Sequence, residues 1–214
     1  MRGKKELKKA QFKTFSNCFD VNPNYAGKWS KVFGNQNPIT LELGCGRGEF
    51  GVEFAKRFPN QNVIGMDIRA PRMWAGAKLA IQDKVPNILF IKENASALAA
   101  IFAPNEISKI WLTFPDPYPK DRHAKRRMTN HSFIEIYRKI LAPNGIFNLK
   151  TDSDSMYEFT LEMLKSLHIT HLLYTTNLHN SPYLNEETGI LTQYERIFLA
   201  ENKSINYLQF KINS

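Results

Sequence analysis

Cysteine is nearly absent from this chain: 214 residues hold only Cys18 and Cys45. With no C-x-x-C pair, a disulfide framework and a cysteine-based zinc site are both excluded. Long apolar runs are missing too. No stretch approaches the roughly 18 apolar residues of a membrane span. The first segment, MRGKKELKKAQFK, lacks the apolar core of a secretory signal, so the expectation is a cytoplasmic protein with no membrane partner. Internal repeats and low-complexity tracts do not occur. His123, His131, His168, His171 and His179 show no metal-ligand spacing with one another or with cysteine, so no metal site is expected. What remains is 43% hydrophobic and 23% charged, the composition of a soluble globular core, and the length suits one such core better than two.

Charge is spread unevenly. Residues 1–13 contribute +5 and residues 120–127 (KDRHAKRR) contribute +4, which together make the entire net +9. Basic charge gathered into two short segments points to a polyanionic partner, with nucleic acid the commonest one for a chain that has no amphipathic membrane helix. A solvated surface and a disordered tail form the alternative reading. Monomer and homodimer both remain open.

From residue 39 onward strand patterns alternate with helical ones, which predicts an α/β fold with a mostly parallel sheet. The expected strands are Ile39–Leu43, Asn62–Asp67, Ile88–Lys92, Lys109–Phe114 and Ile146–Thr151, with Thr170–Thr175 and Arg196–Ala200 as the last two. Helices are expected over Glu49–Phe58, Arg69–Lys84 with Pro71 in its first turn, Asn130–Leu141 and Met156–Leu167. Residues 1–37 read as a basic N-terminal arm of uncertain structure, and residues 38–214 as the single domain.

The segment LELGCGRGEF places Glu42 at a strand end and Gly44, Gly46 and Gly48 in the turn before a helix. Such glycines let the backbone approach a ligand with no Cβ in the way. A dinucleotide fingerprint would put glycine three residues after Gly46, but Glu49 stands there and would oppose a pyrophosphate. An adenosine ligand without phosphates fits better, with Asp67 at the end of the second strand as acceptor for ribose hydroxyls. After the fourth strand, TFPDPYPKDRHAKRR carries three prolines that stiffen the chain around Asp116 and a basic run close behind it. In open α/β sheets this segment faces the same crevice as the glycine loop.

The glycine loop, the second-strand acid and the alternating strands resemble the Rossmann-like class I S-adenosylmethionine-dependent methyltransferases. Four motifs in order narrow the resemblance to the bacterial tRNA (guanine-N7-)-methyltransferases: Pro115-Asp116-Pro117-Tyr118-Pro119-Lys120, Arg122-His123-Ala124-Lys125-Arg126-Arg127, Thr151-Asp152 and Thr192-Gln193-Tyr194-Glu195. Tyr118 and Tyr194 stand where the family pattern has Trp and Phe, so stacking is retained with another aromatic. The resemblance implies a mostly parallel seven-stranded sheet with helices on both faces and an antiparallel last strand. It also implies S-adenosylmethionine as methyl donor, S-adenosylhomocysteine as product, and a guanine N7 in the tRNA variable loop as acceptor. By the same resemblance Glu42, Gly44, Gly46, Gly48, Asp67, Asn94 and Asp116 contact the cofactor, and Asp116 is catalytic. Lys120, Arg122, His123, Lys125, Arg126, Arg127, Asp152, Thr192, Gln193, Tyr194 and Glu195 are the expected substrate contacts.

Plainer structural readings stand beside these. Asp152 and Asp154 would equally serve as caps of the helix near Met156, and Thr192–Glu195 would equally open a strand. Two other functions compete. An adenine or cytosine amino-methyltransferase places a D/N-P-P-Y/F turn after the fourth strand, but Asp116-Pro117-Tyr118 lacks its second proline. An RNA-binding protein without turnover would have little use for the intact set Glu42, Gly44, Gly46, Gly48 and Asp67.

Overall fold

The runs ITLEL, NVIGMD and ILFIK are buried almost throughout, the pattern of parallel strands covered on both faces by helices. The computed structural model describes residues 2–19 and 25–212. Its strands are β1 (Cys18–Phe19), β2 (Ile39–Leu43), β3 (Asn62–Asp67), β4 (Ile88–Lys92), β5 (Ile107–Thr113), β6 (Leu141–Thr151), β7 (His171–Thr175) and β8 (Asn206–Lys211). They form one sheet in the order β1-β4-β3-β2-β5-β6-β8-β7. All pairings are parallel except those of β8, which runs antiparallel to β6 and β7. The two-residue edge strand β1 brings the expected seven strands to eight.

The helices are α1 (Arg2–Phe12), α2 (Trp29–Phe33), α3 (Glu49–Arg57), α4 (Ala70–Gln82), α5 (Leu98–Ile101), α6 (His131–Ile140), α7 (Asp154–Ser166) and α8 (Gln193–Ala200). They bury two apolar layers. One face of the sheet holds Leu41, Leu43, Ile110 and Leu112 with Trp29, Ile134, Tyr137 and Met156. The other holds Val63, Phe90 and Trp111 with Phe12, Phe50, Phe54 and Met73. Strand alternation therefore turns Glu42, between Leu41 and Leu43, toward the α3 face.

Two expectations are corrected. Arg196–Ala200 is not a strand but part of α8, because Thr192 Oγ1 accepts the Glu195 N–H at 3.1 Å and caps a helix there. The last strand is Asn206–Lys211. The arm is also not a separate segment. Phe12 is 2% exposed in the core, Trp74 Nε1 donates to Gln11 Oε1 at 2.9 Å, and Trp29 Nε1 donates to the Ile101 carbonyl at 3.0 Å. Residues 2–19 and 25–37 are thus built into the same fold, while Met1 and residues 20–24 of the expected arm lie outside the described residues. Among the described residues no helix is long and apolar enough to cross a membrane.

Candidate active site

The carboxyl ends of β2, β5 and β6 open onto one cleft of about 340 Å³, a volume suited to a small molecule. The glycine loop forms one wall. Gly44, Gly46 and Gly48 all adopt positive φ, at 64°, 55° and 73°, and a Cβ on Gly48 would come within 2.5 Å of the Phe90 ring. Only glycine meets both conditions there. Asp67 supports the loop from below, accepting the Gly46 N–H at 3.0 Å and the Arg69 N–H at 2.8 Å.

Glu42 forms the floor. Its carboxyl is 1% exposed, accepts the Gly51 N–H at 3.0 Å and the Thr113 hydroxyl at 3.5 Å, and has no cationic partner among the described residues. Gly51 is required beside it, since a Cβ would sit 2.7 Å from Glu42 Oε2. Burial, opposed by these two hydrogen bonds, pushes the Glu42 carboxyl up to about 8. Cys45 lines the cleft, but burial holds its thiol well above the usual range, so it is no nucleophile.

The proline segment makes the opposite wall. Phe114 and Tyr118 both take left-handed φ, at 51° and 43°, a conformation costing about 1–2 kcal/mol for a residue with a Cβ. Between them Asp116 is exposed at the cleft. Arg127 holds this strained turn. Its Nε donates to the Pro117 and Tyr118 carbonyls at 3.1 and 3.2 Å, another guanidinium nitrogen donates to Tyr118 O at 3.0 Å, and its plane lies 4.4 Å from the Phe159 centroid. At 6% exposure Arg127 faces inward. Unlike its anticipated role at the substrate, Arg127 does not line the cleft, and its Nε and one terminal nitrogen serve the loop that carries Asp116.

The third wall comes from α8. Thr192, Gln193 and Tyr194 line the cleft, as does Asp152 after β6. Ser153, not Asp152, caps α7 by accepting the Met156 N–H at 3.3 Å, which leaves the Asp152 carboxylate exposed at the cleft. Glu49 ties two walls together through the Gln193 N–H at 2.9 Å.

Glu195 is the other correction. It is fully buried, 2.6 Å from Lys150 Nζ and 2.9 Å from His179 Nε2, so it does not face the cleft. Lys150 is itself fully buried, donating also to the Thr188 and Ile190 carbonyls at 2.9 and 3.1 Å. Burial pulls the Lys150 ammonium down and Glu195 opposes that shift. A buried cation needs such a partner, and the pair pins α8 to β6.

Eight of the anticipated residues, Glu42, Gly44, Gly46, Asp116, Asp152, Thr192, Gln193 and Tyr194, meet at the cleft. Asp67 and Gly48 support its wall. Asn94 is exposed after β4 and accepts the Ser96 N–H at 2.9 Å. Lys120, Arg122, Lys125 and Arg126 are exposed and His123 half-buried in and beside the 3-10 turn Asp121–Arg126 that follows the proline wall. Sequence reasoning missed Lys150, Arg72, Phe114 and Phe198. A lysine inside the apolar run IFNLKT was the available signal for the first. Among the described residues no cluster of metal-ligating side chains occurs.

Comparison with known proteins places the chain in a family. A family model described as "Putative methyltransferase" matches residues 36–208. The tRNA (guanine-N(7)-)-methyltransferase of Cytophaga hutchinsonii is 41% identical over 189 residues, covering 87% of this chain and 86% of that protein. Its namesake from Christiangramia forsetii is 43% identical over 188 residues, covering 87% and 84%. Among solved structures, the 16S rRNA methyltransferase KamB superposes with a TM-score of 0.64 at 16% identity, covering 88% of this chain and 94% of that one. The 16S rRNA (adenine(1408)-N(1))-methyltransferase of Catenulisporales acidiphilia gives 0.62 at 14% identity, covering 90% and 94%. These two likenesses give the fold, that of the class I methyltransferases. The two tRNA-modifying relatives, each matched over more than four-fifths of its length, give the family: this chain belongs to the tRNA (guanine-N7-)-methyltransferases.

Proposed function

We propose that this protein methylates N7 of a guanine in the variable loop of tRNA, with S-adenosylmethionine as donor and S-adenosylhomocysteine as product. The observation that carries the reading is the cleft itself, in which a buried carboxyl without a cation faces two exposed aspartates across a glycine loop, next to a basic loop. The tRNA (guanine-N(7)-)-methyltransferase activity for which the 41–43% identical relatives are named supports the acceptor, and a structural neighbour crystallised with cosubstrate SAM supports the donor.

The residues present suit that donor. Glu42 lacks a positive partner, the glycine wall leaves open space where Gly44 would carry a Cβ, and Glu49 stands where a dinucleotide would place phosphate. Glu42, Gly44, Gly46 and Asp67 would hold the cofactor, with Asn94 near its adenine. When bound, S-adenosylmethionine supplies an electrophilic methyl group on a positively charged sulfur.

Guanine N7 carries an in-plane lone pair and no proton, so the chain needs no general base at that atom and alignment is its main task. Asp116, fixed by Arg127 and three prolines, orients the base by accepting from guanine N1–H and its exocyclic amine, contacts adenine does not offer. Asp116 and Asp152 also favour the positive charge that methylated guanine carries. Tyr194, 58% exposed on α8, offers a face for stacking a base turned out of the RNA. Lys120, Arg122, Lys125 and Arg126 hold phosphates beside it. Incubating the protein with methyl-labelled S-adenosylmethionine and unmodified total tRNA, then digesting to nucleosides, tests the reading. The label is expected in 7-methylguanosine; label in methyladenosine or methylcytidine would refute it.

A further inference from the structure

A second basic surface lies outside the cleft. Lys5 and Lys9, one turn apart on α1, face Arg69 and Arg72 at the start of α4 and Lys92 at the end of β4 across a hollow of about 650 Å³. Among the described residues Glu6 is the one carboxylate in its lining. Among the described residues none of the five cations has a carboxylate within ion-pair distance, unlike Arg47, Lys56, Arg57, Lys109, Arg138 and Lys203, which all do. Among the described residues only Glu6 in the lining offsets their mutual repulsion, an imbalance that favours an external polyanion.

The hollow is also preformed. Phe12 anchors α1 in the core, Gln11 accepts from Trp74 Nε1, and Lys8 Nζ lies 4.7 Å from the Trp74 ring centroid. Its lysines therefore engage a ligand without first ordering a tail. Position names the ligand class. Arg72 lines both this hollow and the cleft, so the two are neighbours. The hollow sits at the carboxyl end of β3, and the basic loop 120–126 follows β5. These strands flank β2 on either side, about 10 Å apart by strand spacing. A phosphodiester backbone crossing the cleft would meet cations on both sides. The cofactor's adenosine half carries no phosphate and has no use for five positive charges.

From this we infer that α1 and the β3–α4 turn form a second phosphate-binding surface for the RNA substrate. The inference rests on the functional reading above and extends it. The test compares Lys5→Ala/Lys9→Ala with Lys28→Ala/Lys31→Ala, an equal charge change on exposed residues at α2, near the amino ends of the strands. Affinity for an unmodified tRNA transcript is measured at several salt concentrations, and S-adenosylmethionine affinity by calorimetry. The α1 pair is expected to weaken tRNA binding and flatten the slope of log K against log salt by up to roughly two units. Its S-adenosylmethionine affinity stays at the wild-type value, and the α2 pair leaves the slope unchanged. An unaltered slope in the α1 pair, with the wild type still methylating tRNA, would overturn the surface but not the enzyme. Equal flattening in the α2 pair would also overturn it, as would a parallel loss of S-adenosylmethionine affinity, which would assign the hollow to the cofactor. A wild type that methylates no tRNA overturns the functional reading itself, before any variant is compared.

Discussion

Replacing Glu42 by Gln separates what the buried carboxyl costs the fold from what it gives the site. In the folded protein its value is near 8, against 4.5 for the unperturbed group. Since the folded value is the higher, the carboxyl stays protonated in the fold while the unfolded chain already ionises. Stability is therefore full below about pH 4.5 and declines as pH rises toward 8. At 1.36 kcal/mol per pH unit, the penalty is on the order of 3 kcal/mol by pH 7. Gln accepts the Gly51 N–H equally well and never ionises, so the variant escapes this penalty. For a chain of this size that corresponds to a melting temperature roughly 6–12 °C above wild type near neutrality, with little difference at pH 4.5. Urea unfolding of both proteins between pH 4.5 and 8 measures it. The variant should also bind S-adenosylmethionine more weakly, because a buried acid able to ionise beside a cationic ligand is replaced by a permanently neutral amide, a trade of function for stability. A stability difference that stays constant across this pH range would refute the reasoning.

Asp116→Ala should reduce turnover strongly while shifting the melting temperature by no more than a few degrees, since the residue is exposed; steady-state kinetics beside a thermal scan checks both. Arg127→Lys keeps the charge but not the planar pair of hydrogen bonds to the Pro117 and Tyr118 carbonyls. It should lower kcat by about 10-fold or more with S-adenosylmethionine affinity unchanged, whereas a phosphate contact would mainly raise KM for tRNA. Glu195→Gln leaves Lys150 buried without its counter-charge and should cost about 3–5 kcal/mol in urea unfolding. Lys150→Met added to it should recover much of that loss, a rescue that a residue acting on substrate would not show.

The sheet was legible because its strands are short, apolar on both faces and set between helical repeats, and because Gly44, Gly46 and Gly48 follow one strand directly. The C-terminal region was less so. Thr and Tyr in Thr192-Gln193-Tyr194-Glu195 favour strands, yet the Thr-x-x-Glu spacing is also that of a helix cap, and the cap prevailed since Glu195 is drawn inward by Lys150. Charge alone did not separate Arg127 from its exposed neighbours Lys125 and Arg126. Its inward turn depends on carbonyls left open by the left-handed Tyr118, a backbone feature with no sequence mark. For the N-terminus, six Lys and Arg within 13 residues masked an apolar anchor, Phe12, and a helix whose Lys, Leu, Glu and Ala residues are good helix formers.

The central claim is that guanine N7 receives the methyl group without a proton being removed there. A tRNA transcript carrying a single 7-deazaguanosine at the proposed variable-loop acceptor position keeps the Watson–Crick edge assigned above to recognition by Asp116 and replaces only N7 with carbon. Methyl incorporation from labelled S-adenosylmethionine should fall to background on this transcript while its binding affinity stays within about twofold of the unsubstituted one. Undiminished incorporation would contradict the account, because the acceptor would then be an atom other than N7.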